Sequence, residues 1–178
     1  MVSVCDVDEA RLKDAKARVD EQNASKGLNI ECIATTKYED IIARDDIDAV
    51  CIATPDHWHA IPTVAALRSG KDVYCEKPLT HNIFEAITVI DEVEKNDRVL
   101  QTGSMQRSSK EFRVACELVR NGVIGEIERV ECNFGDPGVP CDLPEEEMEP
   151  GLDWERWLGP APERPYHSIL SPRGIHNN

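Results

Sequence analysis

An α/β fold built on a doubly wound parallel sheet is what this sequence predicts. Short strand-like runs alternate with amphipathic helical stretches, over short connections, from residue 1 to about 122. That alternation means βαβ units with right-handed crossovers. The run Asp48-Ala-Val-Cys-Ile-Ala-Thr54 is nearly continuous in apolar residues, as expected of a parallel strand buried on both faces. Three strands also end in polar, proline- or glycine-marked segments, and open α/β sheets bind ligands at the carboxyl ends of their strands.

The elements follow in order. Residues 2–5 read as a strand that stops at Asp6. Asp8 is placed to cap a helix running to about Asn23, with Leu12, Ala15 and Val19 at helical spacing. Ile30 to Ala34 reads as a second strand and Tyr38 to Arg44 as a short helix. The Asp48–Thr54 strand is closed by Pro55, and His57 to Ser69 is a helix ended by Gly70. Val73, Tyr74 and Cys75 suit a pleated, buried surface, and Pro78 forces that strand to stop at Glu76-Lys77. Asn82 to Asn96 is a helix with Ile83, Ile87 and Ile90 on one side. Arg98 to Thr102 is a strand, and Ser108 to Arg120 a helix with Phe112, Ala115 and Leu118 or Val119 on its face.

After Gly125 the texture changes. Glu126 to Phe134 alternates like a strand with one wet face, and prolines 137, 140, 144 and 150 surround the acidic run Glu145-Glu146-Glu147. Trp154, Trp157 and Leu158 suggest an aromatic anchor that packs this loop down, with core packing favoured over ligand contact. The expected organisation is an incomplete dinucleotide-binding domain over 1–122, then the start of a second α/β domain over 123–178 that carries the proline-rich acidic loop.

A net charge of −14 removes the basic footprint that nucleic acids and anionic membranes require. No apolar run is long enough to span a membrane. The seven cysteines are odd in number and include no C-x-x-C pair, so neither a zinc site nor a disulfide framework is expected. A reducing, cytoplasmic setting fits, with export by a leader outside these residues as the alternative.

Four constellations carry chemistry. Asp6 can accept hydrogen bonds from the ribose of a dinucleotide, or serve the helix dipole as a first-turn carboxylate. Thr54-Pro55-Asp56-His57-Trp58-His59 closes the most apolar strand. Its two imidazoles, at i and i+2, do not share a helix face, so no metal pair is expected. His59 either looks into the crevice or makes a local hydrogen bond at its helix start. Lys77 can hydrogen-bond a substrate hydroxyl and the nicotinamide ribose, stabilising alkoxide character as a hydride leaves, or it is half of a solvated pair with Glu76. Gln106 and Arg107 follow the next strand end at Gly103.

Thr54-Pro55-x-x-x-His59, Glu76-Lys77-Pro78 and Gly122-x-Ile124-Gly125 together resemble the glucose–fructose oxidoreductase/inositol dehydrogenase (Gfo/Idh/MocA) family, over roughly residues 1–135. The segment Trp154-Glu-Arg-Trp157-Leu-Gly-Pro-Ala-Pro resembles members with an extended loop in the second domain. The resemblance implies a Rossmann domain for NAD or NADP and reversible oxidation of a sugar or cyclitol hydroxyl, usually in a homo-oligomer. By position, Asp6 would hold the adenosine ribose. Thr54, Pro55 and His59 would line the cofactor crevice, Glu76 and the catalytic Lys77 would stand at the nicotinamide end, and Gln106 and Arg107 would lie nearby. An acid at Asp6 tilts the choice toward NAD.

Against the family pattern, the first strand with its glycine-rich phosphate turn is missing. So is the Asp-x-x-x-His pair of the second domain, whose histidine is the usual acid/base, and His176 falls too early to replace it. A chain truncated at both ends is the expectation, with an incomplete sheet that exposes unpaired backbone. The alternative function is a non-catalytic cofactor-binding remnant or sensor of the same fold.

Overall fold

The computed structural model describes residues 1–133, 135 and 142–171. Pro137, Pro140, Cys141 and His176 lie outside these residues. So does Phe134 at the end of the expected strand over 126–134, whose described part, 126–133, forms no regular element.

The described chain forms two compact units. One joins residues 1–103 with 144–171, and the other covers 104–133, 135 and 142–143. The line expected at residue 122 falls inside the second unit.

The first unit contains two parallel sheets. β1 (Ser3–Cys5) pairs with β2 (Ile33–Thr35). β3 (Ala49–Ile52), β4 (Asp72–Glu76) and β5 (Leu100–Gly103) form the other sheet with β4 in the centre. Every strand pair is parallel, as the alternation of elements requires. The crossovers are α1 (Glu9–Ser25), α2 (Tyr38–Ile42), α3 (Ala60–Arg68) and α4 (Ile83–Asn96).

Local chemistry sets their ends. The Asp8 carboxylate caps α1 by accepting from the Ala10 and Arg11 N–H groups at 2.8 and 3.3 Å. Asn82 caps α4 through the Glu85 N–H at 2.9 Å, while Glu85 reaches back to the His81 N–H at 2.7 Å. A single turn of 3₁₀ helix, Asp56–Trp58, precedes α3, so the expected helix from His57 starts later.

Core packing is one-sided. Val73 and Cys75 of β4 turn toward α3 and α4, where Ile52, Ala66 and Leu67 complete a buried cluster. Burying Leu67 fully is worth about 2 kcal/mol. On α4 it is Val89 that goes inside, while Ile83, Ile87 and Ile90 form an exposed stripe. Lys71 is buried too, its ammonium donating to the Arg44 and Ile47 carbonyls at 2.6 and 2.9 Å.

The expectation that Asp48–Thr54 is buried on both faces is corrected: Ala49 and Cys51 are exposed and Val50 is half-buried. The reason lies in the pairing. β3 is hydrogen-bonded to β4 alone and stands at the edge of its sheet. Its apolar composition exceeds what the described neighbours cover.

The second unit begins with a 3₁₀ turn, Met105–Ser108, followed by α5 (Lys110–Arg120), which the Ser109 hydroxyl caps. Phe112, Val114, Leu118 and Val119 of α5 are exposed.

Candidate functional site

Parallel pairing brings the ends of β3, β4 and β5 to one edge. The ladder runs out at Ile52 opposite Cys75 and at Glu76 opposite Gly103. Beyond it lie Thr54-Pro55 and Lys77-Pro78, joined by a cis peptide in the second pair. Thr54 and Lys77 are exposed, and Pro55 and Glu76 are half-buried.

Glu76 is held by a close approach. A Cβ on buried Gly103 would stand 2.6 Å from Glu76 Oε2 and 3.0 Å from its Cα, so only glycine lets the carboxylate lie over the end of β5. Tyr74 projects from the same face of β4. Loss of solvent and then the Glu76 carboxylate push its phenol up. Cys51, opposite Tyr74, is pushed up in the same way, first by burial and then by Glu76.

His59 is 1% exposed. Its Nδ1 lies 2.5 Å from the Pro78 carbonyl oxygen and its Nε2 lies 2.8 Å from that of Thr54. Both ring nitrogens are thus engaged by backbone, one of them by a carbonyl five residues away and the other by one nineteen residues away. His57 turns elsewhere, and its Nε2–H donates to the Trp157 carbonyl at 2.9 Å. The two imidazoles share no partner.

Asp6 sits just past β1, half-buried. Its Oδ1 accepts the Asp8 N–H at 2.9 Å. Burial raises its carboxyl above the ordinary range, and that hydrogen bond partly opposes the rise. Cys5 beside it is pushed up to about 11, mainly by burial and then by the Asp6 charge.

The sequence did not indicate what covers this end of the sheet. Leu152 forms an antiparallel bridge with Asp8. On either side, the Glu9 N–H donates to the Gly151 carbonyl at 2.8 Å and the Asp153 N–H to the Val7 carbonyl at 3.0 Å. From there α6 (Trp154–Leu158) crosses to the end of β3. The Trp157 carbonyl accepts from the Trp58 indole N–H at 3.0 Å as well as from His57, and Arg156 pairs with Glu39 at 2.8 Å. Trp154 stacks on Trp157 with centroids 4.7 Å apart, and Leu152, Trp154, Leu158 and Tyr166 form a second buried cluster. Both tryptophans therefore pack as an anchor. The aromatic spacing was the sequence signal for this contact, and in the structure a Cβ on Gly159 would overlap the Trp58 ring.

Gln106 and Arg107 are exposed on the 3₁₀ turn that opens the second unit. Among the described residues no group of three or more His, Cys, Asp or Glu is placed to hold a metal. No described helix is long and apolar enough to cross a membrane.

A dinucleotide fits part of this arrangement. A half-buried carboxylate after β1 and exposed polar residues after β3 and β4 suit its two riboses. The N–H groups that open α1 are taken by the Asp8 carboxylate, so this helix start offers no open anion site.

Comparison with known proteins agrees with this architecture. The inositol 2-dehydrogenase of Rhodococcus jostii (strain RHA1) is 35% identical over 102 residues, which are 57% of this chain and 28% of that one. The structure of scyllo-inositol dehydrogenase from Lactobacillus casei with bound NAD(H) and scyllo-inositol superposes with a TM-score of 0.55 at 28% identity, covering 71% of this chain and 34% of that one. A 3-ketoreductase from Actinomadura kijaniata, in complex with TDP-benzene and NADP, superposes with a TM-score of 0.59 at 28% identity, covering 71% and 36%. The chain thus spans about a third of the length of the relatives it matches. The Gfo/Idh/MocA family model, described as an oxidoreductase family with an NAD-binding Rossmann fold, matches residues 1–104, and the chain belongs to that family.

Proposed function

We propose that this chain is the cofactor-binding part of an NAD-dependent dehydrogenase that oxidises a hydroxyl of a sugar or cyclitol. The observation that carries the reading is the exposed Lys77 at the carboxyl end of the central strand, next to a carboxylate that Gly103 alone leaves room for. Asp6 would take the adenosine ribose, Thr54 and Pro55 would line the crevice, and Glu76 and Lys77 would meet the nicotinamide side. Gln106 and Arg107 are assigned to cofactor binding by motif position alone. A bound nicotinamide would supply the hydride acceptor. The protein's share would be the Lys77 ammonium, which donates to the substrate oxygen and stabilises the negative charge that grows there.

The Asp6 carboxylate disfavours a 2′-phosphate, and the guanidinium of Arg156 is already engaged by Glu39. Both favour NAD over NADP. The six described cysteines are free thiols, which supports a reducing, cytoplasmic setting.

Titration calorimetry with NADH tests the reading. Saturable binding is expected, with the Kd rising about tenfold in Lys77→Ala, a loss of about 1.4 kcal/mol. Asp6→Ala should narrow the preference for NADH over NADPH.

Absence of NADH binding by the folded chain would favour a second reading, a non-catalytic remnant or sensor of the same fold.

A further inference from the structure

We infer that His59 is a positioning residue for Lys77, and that it works with both ring nitrogens protonated. The inference rests on the reading of Lys77 given above. Its ground is a count of donors. Nδ1 faces the Pro78 carbonyl oxygen at 2.5 Å and Nε2 faces the Thr54 carbonyl oxygen at 2.8 Å. Neither carbonyl can donate, and a neutral imidazole carries one N–H. A neutral ring would therefore press a nitrogen lone pair against an oxygen lone pair at hydrogen-bond distance. Both contacts are attractive only when the ring is an imidazolium.

Burial opposes such a charge, and satisfied donors offset that cost. The ring is 1% exposed, and burying a cation is costly unless its donors are satisfied. Here both donors meet a carbonyl oxygen, and hydrogen bonds from a charged donor are stronger than neutral ones.

The bridge has a clear mechanical role. Backbone pairing of β3 with β4 ends at Ile52 opposite Cys75. Past that point Thr54 and Pro78 belong to two separate loops, and Pro78 is covalently next to Lys77. The His59 ring joins the loops where the ladder has stopped. Its own backbone is fixed in α-helical geometry, with its carbonyl accepting the Thr63 N–H at 3.3 Å at the start of α3. The crosslink is anchored to the helix, so the backbone of Lys77 takes its position from α3 as well as from β4.

Nitrogen–proton correlation spectra of the histidine rings test the charge directly. Protons on both His59 nitrogens are expected, and an unprotonated nitrogen signal from that ring would overturn the imidazolium. Positioning is tested with His59→Phe, which keeps the ring volume and removes both bonds. Amide signals of residues 77 and 79–80 should move together with that of Thr54, and signals that stay in place would overturn the role. Should His59→Phe not fold, His59→Gln, which keeps one donor group, should move the same signals by less. A shift no larger in residues 77 and 79–80 than elsewhere along α3 would count against positioning.

A double-mutant cycle then separates positioning from plain stability. The NADH Kd should rise about tenfold in His59→Phe, and the same change should add almost nothing in a Lys77→Ala background. Equal effects in both backgrounds would overturn the link to Lys77. If the chain binds no NADH at all, the dehydrogenase reading fails, while the ring and amide spectra still decide the role of His59.

Discussion

At the end of β1, the Val7 carbonyl and the Glu9 N–H are paired with residues 151–153, and Asp8 is fully buried. At the end of β4, Lys77 and Pro78 are exposed, and the Pro78 carbonyl lies on the His59 ring. The two ends belong to the same kind of βα turn, yet one is covered by aromatic packing and the other lies open. The difference follows from what each end presents. Val7 and Asp8 offer backbone groups and an apolar side chain that a returning segment can bury, and Val7 packs against the Leu152–Trp154–Leu158–Tyr166 cluster. Lys77 presents a flexible ammonium whose burial without a partner would cost more than it returned. Coverage fixes Asp6, whereas openness leaves Lys77 able to meet a ligand.

Substitutions at the two ends should therefore differ in kind. The largest effect is expected at Gly159, whose φ of 49° and whose contact with the Trp58 ring both exclude a side chain. Gly159→Ala should lower unfolding stability by about 3 kcal/mol and shift tryptophan emission toward that of an exposed indole. Denaturant unfolding followed by fluorescence measures both, and an unchanged midpoint would show that α6 does not need to lie against Trp58. Gly103→Ala acts at the open end. It should cost about 1–2 kcal/mol in stability, because Glu76 can swing away. It should weaken NADH about tenfold, so the binding loss exceeds what the change in folding explains. Trp58→Phe removes one hydrogen bond to the Trp157 carbonyl and should cost about 1 kcal/mol.

Acid sensitivity belongs to neither end and serves as a control for both. Arg68 donates to Glu92 at 2.6 Å and holds its carboxyl down at about 2, from an ordinary 4.5, against the opposing effect of burial. Because the folded state lowers this value, the stability it contributes is complete above about 4.5 and is lost as the pH falls toward about 2. Acid titration of stability should show this loss in wild type and a flatter curve in Glu92→Gln. An unchanged slope would mean that other carboxylates dominate.

Much of this was legible in the sequence, and the reasons are local. Asp8 announced its helix because capping needs only a side-chain oxygen two or three residues from an N–H. Pro78 fixed the end of β4 because a missing N–H stops a ladder. Short-range rules could not say that Cys51 would be exposed while Cys75 is buried, since a strand's apolar content does not tell which neighbours it will have. Nor could they say that Ile83, Ile87 and Ile90 would face outward on α4 while Val89 goes in. Both stripes fit a helix, and only packing against α3 chose between them.

Residues 1–103 determined on their own that successive strands would lie parallel and bring Thr54, Glu76 and Lys77 to one edge, because a helix after each strand carries the chain back to the edge where that strand began. The tertiary structure decided the rest. It drew His59 under the loops as a crosslink between two carbonyls and placed residues 151–158 across the ends of β1 and β3. These contacts join residues 19 and about 100 positions apart in sequence. Pairings of that kind depend on how the whole core closes, and no local preference encodes them.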